Sequence, residues 1–297
     1  MKTVFLIGTA MLLAAVGSGL AQQPDFRGQL RLADSSTVQI ITTVDGSSNV
    51  GRIIEIDSAG IVLQTEVATI SIPLAKIIQI KEVPLKSMVK GEYWFPNPNA
   101  TRLFFGPTAH LLGKGKGYFS DTYLFFPQIV YGFTGNVTLG GGMSLLPGGG
   151  LDKQLVYLMP KAGGPVGRDL HLAAGALMIK LPDFNDDEGA GTTVGVLYAV
   201  GTKGSLDRSF SAGLGYGFEG GKLADRPMVM VGGEYRMSRR ISLVTENWVF
   251  PGLDQPVVSA GFRFFGEGLA VDLALANVLG EDMLLPGVPF VDFVYNF

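Results

Sequence analysis

Segments of about ten residues, in which apolar side chains alternate with small or polar ones, recur through the second half of this chain. In residues 209–219, Phe210 and Leu214 fall on one face of an extended strand, whereas Ser211 and Gly213 fall on the other. Successive side chains of a β-strand point to opposite faces, so this period of two predicts a strand with one apolar and one polar face. About ten residues is also the length at which a tilted strand crosses a bilayer. The pattern therefore favours an all-β fold whose strands can span a membrane.

About twelve such candidate strands follow one another from residue 101 to the end of the sequence. Residues 101–112 are predicted to form the first. In a later strand, Val196 and Tyr198 are predicted to lie on the apolar, lipid-facing side. Proline is poorly tolerated inside a strand ladder, and prolines at positions 107, 127 and 160 give the strand number a margin of about two. The predicted strands centre near Phe105, Ile129, Gly141, Leu158, Ala174, Leu197, Leu214, Val231, Val244, Ala260, Leu273 and Phe293.

Composition supports strands over long helices. Charged residues make up 16% of the chain, apolar residues 47%, and 42 residues are glycine. Beyond residue 21 no apolar run reaches the length of a spanning helix, although the mean hydropathy of +0.31 is typical of membrane proteins. A β-barrel reconciles these observations, because its apolar residues occupy alternate positions. The chain has no cysteine, which excludes disulfides, thiolate metal sites and a lipid-modified amino-terminal cysteine. A net charge of −3 argues against nucleic acid as a partner.

Residues 1–21 have the pattern of a cleaved secretory signal peptide. Lys2 supplies the positive start, residues 4–16 form an apolar run, and residues 17–21 supply small side chains for the cleavage site. The run is shorter than the ~20 residues that a spanning helix needs, which argues against a membrane anchor. The mature chain is therefore expected to be exported.

Residues 22–90 form a candidate small domain with shorter strands. Turns are predicted at residues 45–49 and 57–60, and a 3₁₀ connection at residues 73–76. The stretches GRIIEID, IVLQT and IPLAKIIQI resemble small SH3-like or Sm-like barrels. Sm-type RNA binding does not carry over, because the module is exported and lacks a basic patch. Two interpretations of this domain stay open: a periplasmic spacer or plug, or a module that binds a partner or the cell wall through residues 27–85. The predicted strands cover residues 38–44, 50–56, 61–65, 68–72 and 77–80.

The end of the chain carries its most informative strand. Phe293, Tyr295 and the terminal Phe297 share one face, and Asp292 lies on the other. An aromatic terminal residue on such a strand resembles the closing strand of bacterial outer-membrane β-barrels. The resemblance implies that Phe293, Tyr295 and Phe297 form a carboxyl-terminal signal for the barrel-assembly machinery. It also implies that residues 91–297 form an antiparallel transmembrane barrel of about twelve strands, surrounded by outer-membrane lipid.

The junction between the two parts adds a weaker resemblance. Pro96 and Pro98 predict a hinge or turn. The stretch NPNATR at residues 97–102 is similar to that of uncharacterised exported barrel proteins with the same two-part layout, and no activity comes with it.

If the apolar faces of the strands meet lipid, the alternate positions face the lumen. Both signs of charge occur there in similar numbers, so these side chains either pair across the lumen or line a narrow polar channel. Interior ionisable groups of membrane proteins are costly and are often functional. The candidate lumen-lining charges are Arg102, Lys161, Lys180, Glu234, Arg236, Glu246, Arg263, Asp272 and Asp292.

No motif favours an enzyme or a cofactor. His110 and His171 are the only histidines, and neither sits in a nucleophile motif of the kind used by outer-membrane phospholipases. Outer-membrane proteases of the Asp/His type would need clustered loop carboxylates with a histidine, and no loop offers them. The glycine runs are not phosphate loops, since no helix follows them. The acidic run at residues 185–188 lacks the ligand spacing of an EF-hand loop and is predicted to be a solvated outer loop. We therefore expect no catalytic, cofactor or metal site.

Three hypotheses of function follow. The first is an outer-membrane barrel that passes small polar solutes or ions passively. The second is a non-conducting barrel that anchors the envelope or a partner through its amino-terminal module. The third is a soluble, secreted β-sandwich that binds a lipid, and it predicts release into the medium without detergent.

Overall fold

A computed structural model describes residue 28 and residues 30–148, 150–182, 192–280 and 287–297. The predicted signal peptide and the acidic run at residues 185–188 lie outside the described residues. The chain separates into two compact units, one ending at Trp94 and the other beginning at Phe95. Among the described residues, no helix is long and apolar enough to cross a membrane.

The first unit is a five-stranded antiparallel sheet in the order β4-β3-β2-β1-β5. All five predicted strands are present within a few residues of their expected bounds, and so is the 3₁₀ turn at Leu74–Lys76. Ile41, Ile53 and Leu63 form the centre of its apolar core. The SH3-like assignment of this unit stays a prediction. The strands are β1 (Thr37–Thr43), β2 (Ser48–Ile56), β3 (Gly60–Gln64), β4 (Thr69–Pro73) and β5 (Ile77–Pro84), followed by a short hairpin of β6 (Met88–Val89) and β7 (Glu92–Tyr93).

The second unit is a closed antiparallel barrel of twelve strands. Each strand pairs with its neighbours in the chain, and the last strand, β20, pairs with β8 to close the ring. The two-residue strand β15 (Lys222–Leu223) only extends β14. The barrel strands are β8 (Gly117–Thr122), β9 (Phe126–Gly132), β10 (Val137–Met143), β11 (Val156–Gly167), β12 (Leu170–Lys180), β13 (Thr193–Gly204), β14 (Arg208–Glu219), β16 (Met228–Ser238), β17 (Ile241–Val249), β18 (Val257–Phe265), β19 (Leu269–Val278) and β20 (Val288–Asn296).

The predicted number of strands is confirmed, but the predicted first strand is wrong. Residues 101–112 form no strand. The first strand of the barrel is β8, which the sequence analysis did not predict. A short apolar run does not distinguish a strand from other buried segments, and Leu103-Phe-Phe105 is such a run. Pro127 and Pro160 lie inside β9 and β11 without ending either strand.

The outer face of the barrel is apolar. Leu214, Phe262 and Leu273 lie on β14, β18 and β19 and are each about half exposed. On β13 the predicted orientation is wrong, because Val200 is buried inside the barrel while Leu197 is exposed outside. Both faces of β13 are apolar, so the alternation could not tell inward from outward.

The two ends of the barrel differ in the length of their connections. The chain enters β8 and leaves β20 at the same end, where Gly117 and Phe297 exchange two backbone hydrogen bonds of 3.0 and 3.2 Å. We call this the turn end, because its connections, such as residues 168–169 and 239–240, are short. The opposite end, the loop end, carries longer connections such as residues 144–155. This asymmetry matches outer-membrane barrels, which have short periplasmic turns and longer outer loops.

Candidate functional site: a loop inside the barrel lumen

Residues 95–112, here called the lumen loop, enter the barrel from the turn end and return to it before β8 begins. Its tip is a tight turn in which the Leu103 N–H donates to the Gly106 carbonyl at 2.8 Å. Leu103 and Phe104 are almost fully buried there. Residues that the sequence had assigned to a strand of the wall therefore lie inside the lumen.

Glu246 on β17 holds the tip of the lumen loop. One of its carboxylate oxygens accepts the backbone N–H groups of Phe104, Phe105 and Gly106 at 2.8, 3.0 and 2.8 Å. The other oxygen accepts the Trp248 indole N–H at 2.7 Å. Glu246 is only 2% exposed, and each of these bonds is charge-assisted. A turn with converging N–H groups thus meets one buried carboxylate.

Arg263 on β18 is the centre of an ion-pair cluster below the tip. Its guanidinium pairs with Asp272 and Glu234, each at 2.7 Å. It also donates to the carbonyls of Asn99 and Leu103 at 2.8 and 2.6 Å. Arg263 is completely buried, and its planar guanidinium donates the hydrogen bonds that all of these neighbours accept. The cluster therefore joins three strands of the wall to the loop.

Three further contacts fix the loop against the wall. Arg102, on the loop itself, pairs with Asp292 on β20 at 2.5 Å, and Asp292 also accepts the Thr122 hydroxyl at 2.8 Å. Nearer the turn end, the Asn97 side chain donates to Glu234 at 2.8 Å. Arg236 on β16 donates to the Phe95 carbonyl at 2.8 Å.

Lys161 on β11 holds both halves of the loop. Its ammonium group donates to the carbonyls of Thr101, Thr108 and His110 at 2.9, 3.2 and 2.8 Å. No carboxylate of the described residues pairs with it. Lys161 and Glu246 are thus stabilised in the same way. Each buried charge is satisfied mainly by backbone groups of the loop, which are carbonyls for Lys161 and N–H groups for Glu246.

The structure brings eight of the nine predicted lumen charges into the barrel. Seven of them lie on inward positions of strands, and Arg102 lies on the lumen loop instead of on a strand. The remaining one, Lys180, is exposed at the end of β12, on the face it shares with the half-exposed Leu172. The eight lie around a loop and do not face one another across an open channel.

Sequence reasoning missed the polar residues of the loop. Asn97 and Asn99 are buried and bind carboxylates of the wall, but the prolines beside them predicted only a hinge. A useful indication was available, because a polar stretch with alternating asparagine and proline cannot pair as a strand yet offers many hydrogen-bonding groups.

His110 and His171 meet edge to face inside the barrel, with ring centroids 4.7 Å apart. His110 was predicted to lie on the first strand and is instead a buried residue of the lumen loop. Among the described residues no group of three or more His, Cys, Asp or Glu side chains is placed to hold a metal ion.

Comparison with solved structures finds outer-membrane proteins at low similarity. The KdgM porin in complex with disordered oligogalacturonate gives a TM-score of 0.41 at 7% identity, over 61% of this chain and 95% of that one. Omp33 of Acinetobacter baumannii gives 0.35 at 9% identity, over 61% and 95%. A loop-deletion mutant of OmpT from Vibrio cholerae gives 0.34 at 10% identity, over 88% and 97%. No protein-family model and no curated protein sequence matches the chain. Similarities this low say nothing about activity.

Proposed function

We propose that this protein is an outer-membrane β-barrel that acts as a passive channel for small polar solutes or ions, with the lumen loop as its plug. The apolar outer face and the unequal lengths of the connections at the two ends support a barrel in a bilayer. In this orientation the turn end faces the periplasm, which is also the compartment that we propose for residues 22–90, with their SH3-like fold as part of the proposal.

The observation that carries the channel proposal is that a loop, and not the barrel wall, occupies the lumen. A barrel of eight strands is just narrow enough for side chains to fill, so one of twelve strands has space to spare. Part of that space is filled by a loop whose only covalent links are at the turn end. Displacing the loop leaves a lumen lined by strand charges of both signs, among them Lys161, Glu246 and Arg263. Such a lumen favours hydrated polar solutes over apolar ones.

Single-channel conductance in a planar bilayer tests this proposal. We expect rare, brief openings from the full-length protein. A variant in which residues 96–112 are replaced by a flexible linker of the same length should give stable steps. The matched control replaces residues 220–227, a connection at the loop end, and should behave like the unmodified protein.

Heat-modifiable migration in detergent gels must first establish that each variant is folded. Silence from the folded loop variant would contradict the channel. The non-conducting anchor would then be tested through residues 27–85, whose periplasmic or cell-wall partner also stays a proposal.

A further inference from the structure

Beside and above the tip of the lumen loop, the barrel contains a partly open cavity of about 660 Å³ that the channel proposal does not use. Arg102 and Phe105 of the loop contribute to its lining, and Tyr123 and Phe250 contribute from the loop end. A volume of this size lies within the range of small-molecule sites in proteins.

Inward glycines of the wall lie under side chains of β13 at the cavity. On β14 the inward residues beside it are Gly213 and Gly215, and on β12 the inward Gly175 faces Tyr198 of β13. Neighbouring strands contribute large apolar side chains, such as Met159 and Met230. The glycines thus let the large side chains of β13 pack against the wall, and the surface that faces the cavity is mainly apolar.

The lining is unusual for a water-filled lumen. Val196, Tyr198 and Val200 of β13 point inward, although a strand that faces water would place its apolar residues outside. Burying apolar surface against an apolar molecule is favourable, whereas leaving it against water is not. The chemistry of the wall thus fits an occupant with an apolar body.

The charged residues at the cavity indicate the charge of the ligand's polar end. Arg102 and Lys161 are the charged residues that line it, and no Asp or Glu among the described residues does so. Arg102 is paired with Asp292 and has only its Nε without a hydrogen-bond partner, whereas Lys161 donates to three carbonyls of the loop and pairs with no carboxylate among the described residues. Asp292 offsets the charge of Arg102, so Lys161 is the cation at the cavity that has no carboxylate partner among the described residues, and its charge favours an anion over a cation.

We propose that this cavity binds an amphiphile with an apolar aliphatic body and one carboxylate, oriented with the carboxylate toward Arg102 and Lys161. The inference depends on the barrel and its cavity and is independent of conduction. Binding and conductance are separate measurements, so either proposal can fail alone.

Fluorescence quenching by a brominated ligand tests the site directly. The chain has two tryptophans, and Trp248 lines the cavity. A Trp94→Phe background leaves Trp248 as the reporter. In a non-ionic detergent, a short, water-soluble ω-bromo carboxylate should quench it with saturation. The bromo alcohol of the same chain length should bind about tenfold more weakly, and the bromo trimethylammonium compound more weakly still.

Two variants separate the cavity from the outside of the barrel. Val196→Phe fills part of the cavity and should weaken binding of the carboxylate by about tenfold or more. Leu197→Phe changes the next residue, which is 46% exposed on the outer face, and should leave binding unchanged. The charge is tested by the series of ligands because Lys161 also holds the loop.

Each contrary result has a defined meaning. Equal binding of the three head groups would overturn the anionic assignment. Quenching without saturation, or equal effects of the two variants, would show contact from the detergent side and overturn the site.

Discussion

At the scale of single residues, Glu246 and Lys161 show how this barrel tolerates unpaired charge in its interior. Each is almost fully buried, and each finds three backbone groups of the lumen loop in place of an opposite charge. A buried charge without such partners is strongly unfavourable, so the loop and these two side chains stabilise one another. Removal of either partner should therefore cost far more than loss of a surface contact.

Glu246→Ala tests this dependence. The change leaves three backbone N–H groups and the Trp248 indole without their acceptor, and we expect the free energy of unfolding to fall by about 3–5 kcal/mol. Urea unfolding of the protein folded into lipid vesicles measures it. Glu219→Ala, at the exposed end of β14, is the control and should change the free energy little. A loss below about 1 kcal/mol for Glu246→Ala would contradict the role of this carboxylate.

Asp45 in the amino-terminal unit gives a pH-dependent prediction. Its carboxyl accepts the Thr43 hydroxyl at 2.5 Å and the Ser47 N–H at 3.0 Å, and these bonds lower its pKa to about 2. Because the folded pKa is the lower one, this stabilisation is present above the ordinary pKa of the carboxyl. It is lost as the pH falls toward 2.

Thr43→Val should raise the pKa of Asp45 toward its ordinary value, as followed by the carbon chemical shift of the Asp45 carboxyl during an acid titration. Thr42→Val on the same strand is the control. If both variants titrate like the unmodified protein, the Thr43 hydroxyl does not cause the shift.

At the scale of elements, β13 and the lumen loop are the two places where the pattern of the sequence misleads. A period of two shows that a strand has two different faces, but a shift of one residue exchanges them. On β13 small residues such as Gly195 and Ala199 alternate with larger apolar ones, and the larger ones turn inward toward the cavity. The lumen loop is apolar at its tip, yet polar carbonyls and amides fix it to the wall.

The outer face of the strands can be tested by a single charge. Leu214 lies near the middle of β14 and is 55% exposed, so Leu214→Arg would place a cation in lipid. We expect this substitution to lower the free energy of unfolding in lipid vesicles by about 2–4 kcal/mol.

Leu223→Arg is the matched control. Leu223 is similarly exposed but belongs to the short β15, which pairs only with the loop end of β14. We therefore expect the change to have little effect on the free energy of unfolding. Equal effects of the two substitutions would indicate that the outer face of β14 does not lie in a bilayer and would favour the soluble alternative.

At the scale of the whole molecule, the barrel is closed by its last strand. Phe297 exchanges backbone hydrogen bonds with Gly117, and its ring is 61% exposed at the outer edge. The closure buries the edges of both strands, which in lipid would otherwise be left with unpaired polar groups.

Phe297→Ala tests whether this residue also belongs to an assembly signal. We expect a lower fraction of heat-modifiable protein in cell membranes, and a much smaller change when the purified chain refolds in detergent. Phe210→Ala removes a ring of the same exposure from β14 and should leave both fractions unchanged. Equal losses for the two variants would reduce the role of Phe297 to ordinary lipid contact.

The sequence by itself determined the local properties of this protein. Alternation located eleven of the twelve barrel strands and all five strands of the first sheet, because the side-chain period is a property of each strand alone. It also selected, at alternate positions, seven charged residues that the barrel buries on its strands. Only the tertiary structure decided how the interior is filled. The pairing of Lys161 with the carbonyls of Thr101 and His110 joins residues that are distant in sequence, and no local pattern records such a meeting. The same holds for β13, whose apolar side faces inward because a cavity, and not lipid, lies beside it.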